Sequence, residues 1–391
     1  MIVPASGAVL GDAEKAAMHA AVDKGWLTAG PITAEFERRL AEFTGIKYVH
    51  TVNSGSSANL VAVATMVEAG IWKAGDEIIT VAASFPTTIN PLLLYGLVPV
   101  FVDIELGTYN ALPETVAAAV TDKTRGVMMA HTLGNPFRLP DLGLPVIEDC
   151  CDALGATVDG EHVGTHAHMA TCSFFPAHHI TTGEGGAVFT NDTRLALIAE
   201  SIRDWGRDCW CEPGKENTCG KRFAWEWEAL PQGYDHKYTY SRLGFNLKLT
   251  EIQAACGVAQ IDRLPEFVAC RRRNFGILEK LFTRSHATIT LPNFSTGASP
   301  FGYPTTLKET GIRSQMQQYL SQQGIGSRLL FAGNITRQPY MNGRTYRVHG
   351  ELTNTDKVLE DCFWIGCHPA LTEEQLEYAA RHVATFLGDF V

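Results

Sequence analysis

Ser173-Phe174-Phe175-Pro176-Ala177-His178-His179-Ile180-Thr181-Thr182-Gly183-Glu184-Gly185-Gly186 joins two short apolar runs, 170–175 and 186–190. Runs of that length, bounded by small and turn-forming residues, read as buried strands. Upstream, the β-branched runs 48–53, 77–82, 98–103, 126–130 and 144–148 have the same character. Amphipathic segments such as 57–68 and 114–120 lie between several of them. Alternation of strand and helix predicts an α/β domain with a mostly parallel, buried sheet. In such sheets the strands' C-terminal ends carry the ligand sites. Residues 173–186 therefore follow directly on a strand end that faces a site.

The whole chain has 391 residues, a net charge of −10 and 45% hydrophobic side chains. That length predicts more than one structural unit. The negative charge argues against nucleic acid as the main partner, because phosphate binding needs a basic surface. No uncharged apolar run reaches the length of a membrane span. The N-terminus, MIVPASGAVLGDAEK, lacks the basic and apolar regions of a signal peptide. A cytoplasmic protein is expected, with its ten cysteines as thiols rather than disulfides.

Strand–helix alternation breaks down over 204–240, which holds three cysteines and four tryptophans. An irregular stretch of that length is expected to be functional. Helical periodicity returns over 250–282 as one long helix, and the last segment, 373–387, is also helical. We expect a large unit over 1–250, including the irregular loop. A smaller α+β unit follows over 251–391, begun by the connecting helix.

Three features carry chemistry. Asn53-Ser54-Gly55-Ser56-Ser57-Ala58-Asn59 follows a strand and opens a helix. Small residues there let backbone N–H groups approach an anion at a helix N-terminus; an ordinary serine cap would look the same. Val146-Ile147-Glu148-Asp149 places carboxylates at a strand end. Cys151, Cys209, Cys211 and Cys219 have the spacing C-x57-C-x-C-x7-C, with Pro213 and Gly214 inside the loop. Short spacing on a loop plus one distant thiol suits four thiolate ligands, and on ligand type zinc or a [2Fe–2S] cluster fits equally. Cys150, Cys172, Cys256, Cys270, Cys362 and Cys367 read as packing residues.

The serine-rich run 53–59, the strand end 146–149, the segment 173–186 and Gly244-Phe245-Asn246-Leu247-Lys248-Leu249-Thr250-Glu251-Ile252-Gln253-Ala254 together resemble the DegT-type sugar aminotransferases over essentially the whole chain. That resemblance implies a fold type I pyridoxal-phosphate architecture, like that of aspartate aminotransferase. It implies that Asp149 pairs with the pyridinium nitrogen and Phe85 stacks on the ring. Ser56, Ser57 and Ser173 would hold the phosphate. His131 would line the cofactor site, Asn246 would reach in from a second subunit, and the protein would be a homodimer.

His178 occupies the position where those aminotransferases carry their cofactor-binding lysine. Imidazole forms no stable Schiff base, so the cofactor is expected non-covalently, as pyridoxamine phosphate or pyridoxal phosphate. A histidine titrating near neutrality still shuttles protons. Asp152, where glutamine is usual, is a second departure. Both resemble the nucleotide-sugar 3-dehydratases, which implies His178 as the base in C3 deoxygenation of a nucleotide-linked 4-keto-6-deoxyhexose. The cysteine spacing, with Asp204-Trp205-Gly206-Arg207-Asp208 and Gly233-Tyr234-Asp235-His236-Lys237-Tyr238, resembles the iron–sulfur 3-dehydrases acting on CDP-4-keto-6-deoxyglucose in ascarylose biosynthesis. That likeness implies a [2Fe–2S] cluster on Cys151, Cys209, Cys211 and Cys219. It also implies an electron donor: an NAD(P)H-dependent flavin/iron–sulfur reductase, a ferredoxin or a flavodoxin. Arg328 and Arg337 would clamp the substrate diphosphate. The alternatives are a cluster-free 3-dehydratase that uses glutamate, an aminotransferase, and a non-catalytic relative. A crossover helix usual in the family has no room at 138–143.

Overall fold

A computed structural model describes residues 1–211 and 215–388. Pro213 and Gly214 lie outside the described residues. Fourteen strands occur in it, here in chain order. The first five are β1 (Tyr48–Val52), β2 (Glu77–Val81), β3 (Val98–Val102), β4 (Thr124–Ala130) and β5 (Val146–Asp149). A small hairpin, β6 (Thr157–Val158) and β7 (Glu161–His162), precedes β8 (Met169–Ser173) and β9 (Gly186–Thr190). The remainder are β10 (Ile289–Thr290), β11 (Gly302–Leu307), β12 (Ser327–Arg328), β13 (Arg347–Val348) and β14 (Cys362–Gly366).

Eight strands form the large sheet in the order β1-β9-β8-β5-β4-β2-β3-β13. All neighbours from β8 to β13 are parallel, and β9 alone runs against the rest. The expected α/β fold is the one adopted, and each of the seven sequence-predicted strands is present. The pleat splits successive side chains between two cores. Met128, Ile147 and Met169 meet the helices Gly55–Glu68 (α3 in chain order) and Thr193–Arg203. Val127 and Met129 face the opposite way, towards β14 and its surroundings. On that same side Ala170 and Cys172 pack against Pro31–Thr44 (α2). A preceding helix, α1 (Asp12–Lys24), and α4 (Pro86–Leu94) complete the helices needed below.

The smaller sheet, β10-β11-β14-β12, is antiparallel throughout. The long helix expected over 250–282 is instead two, Glu251–Ile261 and Leu264–Phe282. Pro265 explains the break: it has no N–H to donate, and its ring collides with the carbonyl four residues back, that of Ile261. The helix Leu264–Phe282 packs Leu264, Phe267 and Val268 on the core that holds Ala170 and Cys172, and Phe275, Leu278 and Phe282 on a separate core under the smaller sheet. The connection from β4 to β5 contains a 3-10 turn, Thr132–Gly134, and otherwise irregular chain. It is long enough to cross over without a helix, and it packs Leu133 and Phe137 into the core. Gly134, at φ 85°, lies so close to Ser299 that a Cβ would stand 1.9 Å from its carbonyl oxygen. Among the described residues no helix is long and apolar enough to cross a membrane.

Candidate active site

A cleft of about 900 Å³ opens at the C-terminal ends of the parallel strands. Asp149 ends β5, Ser173 ends β8, and Phe85 caps α4 just past β2. The smaller sheet's side contributes Arg328 and Trp364. Helix α3 starts three residues beyond the end of β1 and points its N-terminus into this cleft: Ser54, Gly55 and Ser56 line it. Ser54 Oγ accepts from the Ser57 N–H at 3.1 Å, which caps the helix. A Cβ on Gly55 would stand 2.6 Å from Ser173 Cβ and 3.1 Å from Cys151 Sγ. Only glycine lets this helix end approach β8 so closely. The exposed N–H groups and the positive end of the helix dipole make an anion cradle.

Asp149 is 4% exposed and anchored by three donors. Asn59 Nδ2 and Thr88 Oγ1 donate to Oδ2 at 2.7 and 2.8 Å, and the Cys151 N–H donates to Oδ1 at 3.1 Å. Thr171 Oγ1 donates to Asn59 Oδ1 at 2.7 Å, which turns the Asn59 amino group towards Asp149. A carboxylate has about four acceptor sites. Oδ1, with one partner, keeps a lone pair for a donor in the cleft. Asn59 and Thr88 were missed as site residues in the sequence; for Asn59 the signal was a polar side chain within the apolar run of α3.

His178 lines the cleft, with Nδ1 3.4 Å from Asp152 Oδ1. Its N–H donates to the Phe175 carbonyl at 2.9 Å, and its ring packs on Phe301 with centroids 5.1 Å apart. His179 turns away. It is 3% exposed, its Nε2 donates to the Ser299 carbonyl at 2.9 Å, and burial pushes its pKa well below the ordinary value. No lysine is found among the described residues that line the cleft. Phe85 is half exposed over the cleft and meets Phe331 edge-on at 6.2 Å. Phe331 also lines the cleft, at φ 50°.

The cleft thus gathers Ser56, Phe85, Asp149, Cys151, Asp152, Ser173, His178 and Arg328. Ser57 stands beside it, its hydroxyl donating to Asn53 Oδ1 at 2.6 Å. Asn246 is exposed, on the strip that bridges to Asp204, and does not line this chain's cleft. Arg337 also lies outside the lining, paired to Asp356 at 2.5 Å. His131 is 1% exposed and stacks on Phe137 at 4.2 Å. Its Nδ1 accepts the Phe137 N–H at 3.2 Å, so Nε2 carries the proton donated to Glu148 at 2.9 Å. Among the described residues, His131, Glu148 and Cys150 are the one set of three metal-ligating atoms within 4.8 Å of one another. Both His131 nitrogens are already engaged, so the set is a hydrogen-bonded buttress rather than an ion site.

Cys209, Cys211 and Cys219 share a second, small hollow with Arg222 and His236. Against the upward push of burial, hydrogen bonds with Thr218 and Cys209 bring Cys211 to about 7. Cys151 lies apart from them on the cleft floor, where burial pushes its thiol well above the ordinary value. The four thiols are therefore divided between two places in this chain.

A protein-family model, the DegT/DnrJ/EryC1/StrS aminotransferase family, matches residues 9–384. The lipopolysaccharide biosynthesis protein RfbH of Salmonella typhimurium is 51% identical over 402 residues, covering 99% of this chain and 92% of that one. The dTDP-4-dehydro-2,6-dideoxy-D-glucose 3-dehydratase of Saccharopolyspora spinosa is 45% identical, covering 98% and 86%. A crystal structure of GDP-4-keto-6-deoxymannose-3-dehydratase with a trapped PLP–glutamate geminal diamine superposes with a TM-score of 0.87 at 27% identity, covering 97% of this chain and all of the other.

Proposed function

The chain belongs to the DegT/DnrJ/EryC1/StrS aminotransferase family, and from that membership we propose that it is a nucleotide-sugar 3-dehydratase working with a non-covalently held pyridoxal or pyridoxamine phosphate. The observation that carries this reading is His178 in a cleft lined by no lysine among the described residues. The named activities of two relatives, both 3-dehydratases, support it.

The donor set fits the cofactor. Asp149, buried with an acceptor lone pair to spare, suits a ring N–H. Ser56, Ser57, Ser173 and the N-terminus of α3 suit the phosphate, and Phe85 offers a ring face. When bound, the cofactor supplies an electron sink beside the sugar. His178 would serve as the base that moves a proton at the cofactor's C4′ position, and Asp152 faces its Nδ1. His131 braces Glu148 behind the site. Arg328, exposed in the cleft, attracts the diphosphate. Asn246, exposed outside its own cleft, reaches that of a second copy in a homodimer, and Arg337 would leave Asp356 to join Arg328 at the diphosphate. Residues 1–250 hold the cofactor in this reading and 251–391 close the substrate side.

Two readings differ in what reduces the site after deoxygenation. The likeness to the enzyme trapped with PLP and glutamate supports glutamate as amine donor, and we place it first. The cysteine loop favours the second, a [2Fe–2S] cluster on Cys151, Cys209, Cys211 and Cys219 fed by a reductase, ferredoxin or flavodoxin. The division of these thiols between cleft and hollow leaves that set ungathered in this chain. An anaerobic absorption spectrum with iron analysis separates the two. Glutamate-driven turnover by iron-free protein supports the first reading. Stoichiometric iron, with bands bleached by dithionite and lost in Cys209→Ser, supports the second.

A further inference from the structure

The helix Leu264–Phe282 carries Arg271 into the interior, where it is 1% exposed. Its hydrogen bonds run to carbonyl oxygens and to no carboxylate. One terminal nitrogen donates to Ala177 and His178, at 3.2 and 3.0 Å. The other donates to Phe301 at 3.0 Å and Pro300 at 3.4 Å. Asp152 attracts the guanidinium without a hydrogen bond to it; burying a cation whose hydrogen bonds are met by carbonyls is costly, and hydrocarbon would fill a merely structural site more cheaply. The planar fork of guanidinium donors is what spans two carbonyl pairs at once, a task a single ammonium cannot reproduce.

Those two pairs belong to segments that bear on the base. The His178 N–H is already tied to Phe175, so the Arg271 bond fixes the second backbone handle of that residue. On the other side, the Phe301 N–H is tied to Leu133 at 2.8 Å, and its ring packs on the imidazole. The guanidinium also lies over that ring, 5.8 Å from its centroid. One side chain therefore sets the spacing between the backbone of His178 and the aromatic face against which its imidazole rests.

We propose that Arg271 is a positioning residue for His178, clamping the turn that carries the imidazole to the segment that carries Phe301. The proposal rests on the reading of His178 as the base. Its test compares wild type with Arg271→Lys, which keeps the charge and loses the fork, and with Arg271→Gln as a second variant should one fail to fold. Three quantities are read: affinity of the apo-protein for pyridoxal phosphate by fluorescence, kcat and KM for a nucleotide 4-keto-6-deoxyhexose, and the rate at which diethyl pyrocarbonate modifies His178 by mass spectrometry. Exposed His166 is the internal control. Since misplacement of about 1 Å costs about 100-fold in rate, kcat should fall by about that factor, with KM and cofactor affinity within about threefold. His178 should react about fivefold faster or more as its packing loosens, with His166 unchanged. A folded variant whose His178 reacts at the wild-type rate overturns the proposal, whatever its kcat. If wild type releases no deoxygenated sugar, the functional reading fails, while the reactivity comparison still decides the role of Arg271.

Discussion

Replacing Asp149 with asparagine probes the cofactor grip directly. Oδ2 accepts from Asn59 and Thr88, whereas Oδ1 accepts only from the Cys151 N–H, at 3.1 Å. An asparagine that keeps its oxygen towards the two short donors must turn its amino group to the Oδ1 side. There it meets the Cys151 N–H and, in the cleft, the N–H of a bound pyridinium. The protein loses one of the weaker hydrogen bonds, but the ring loses its acceptor and its counter-charge together. Breaking a buried charge pair on one side costs about 2–5 kcal/mol, which corresponds to ~30- to ~5000-fold in affinity. The assay is fluorescence titration of Asp149→Asn apo-protein with pyridoxal phosphate, alongside a melting curve to establish folding. A folded variant that binds within about threefold of wild type would refute the assignment of Asp149 to the ring nitrogen.

The other predictions concern the base, the helix cradle and acid stability. His178→Lys should form a borohydride-reducible link to pyridoxal phosphate, detected by intact mass, and lose C3 deoxygenation; retained dehydration would contradict the base assignment. Gly55→Ala places a Cβ 2.6 Å from Ser173; such overpacking should cost about 1–3 kcal/mol in urea unfolding and weaken phosphate binding. Burial holds His162 down at about 4 against an ordinary 6.5, while its Nε2 accepts the Gly155 N–H. The unfolded chain then takes up the proton first. Stability is full above pH 6.5 and falls between 6.5 and about 4, by up to about 3 kcal/mol. Urea midpoints measured across that window should slope, and less so in His162→Gln.

The buried strands were legible because parallel strands covered on both faces are continuous apolar runs. The break at Pro265 went unread, because the strong periodicity on both sides of it reads as one helix. Helices α1 and α2 went unread at the N-terminus, and so did β13, whose Arg347–Val348 pair has no apolar run to announce it. For the site, strand-end position pointed to Asp149, and the resemblance to the family pointed to Ser173 and His178; all three line the cleft. Orientation was not legible: His131 follows a cleft-lining residue, Ala130, yet turns inward to Glu148. Arg271 was hidden for another reason. In the run Cys270-Arg271-Arg272-Arg273 it looks like one of several solvated charges, and only the fold shows which of the three points inward.

The central claim, that this cleft removes the C3 oxygen of a nucleotide 4-keto-6-deoxyhexose, is tested most directly by identifying the product. Purified protein is incubated with pyridoxamine or pyridoxal phosphate, glutamate or a chemical reductant, and candidate CDP-, dTDP- and GDP-linked substrates, and the sugars are read by NMR and mass spectrometry. The product should be a sugar that has lost its C3 hydroxyl and gained no nitrogen. A 4-amino sugar with its C3 hydroxyl intact would contradict it.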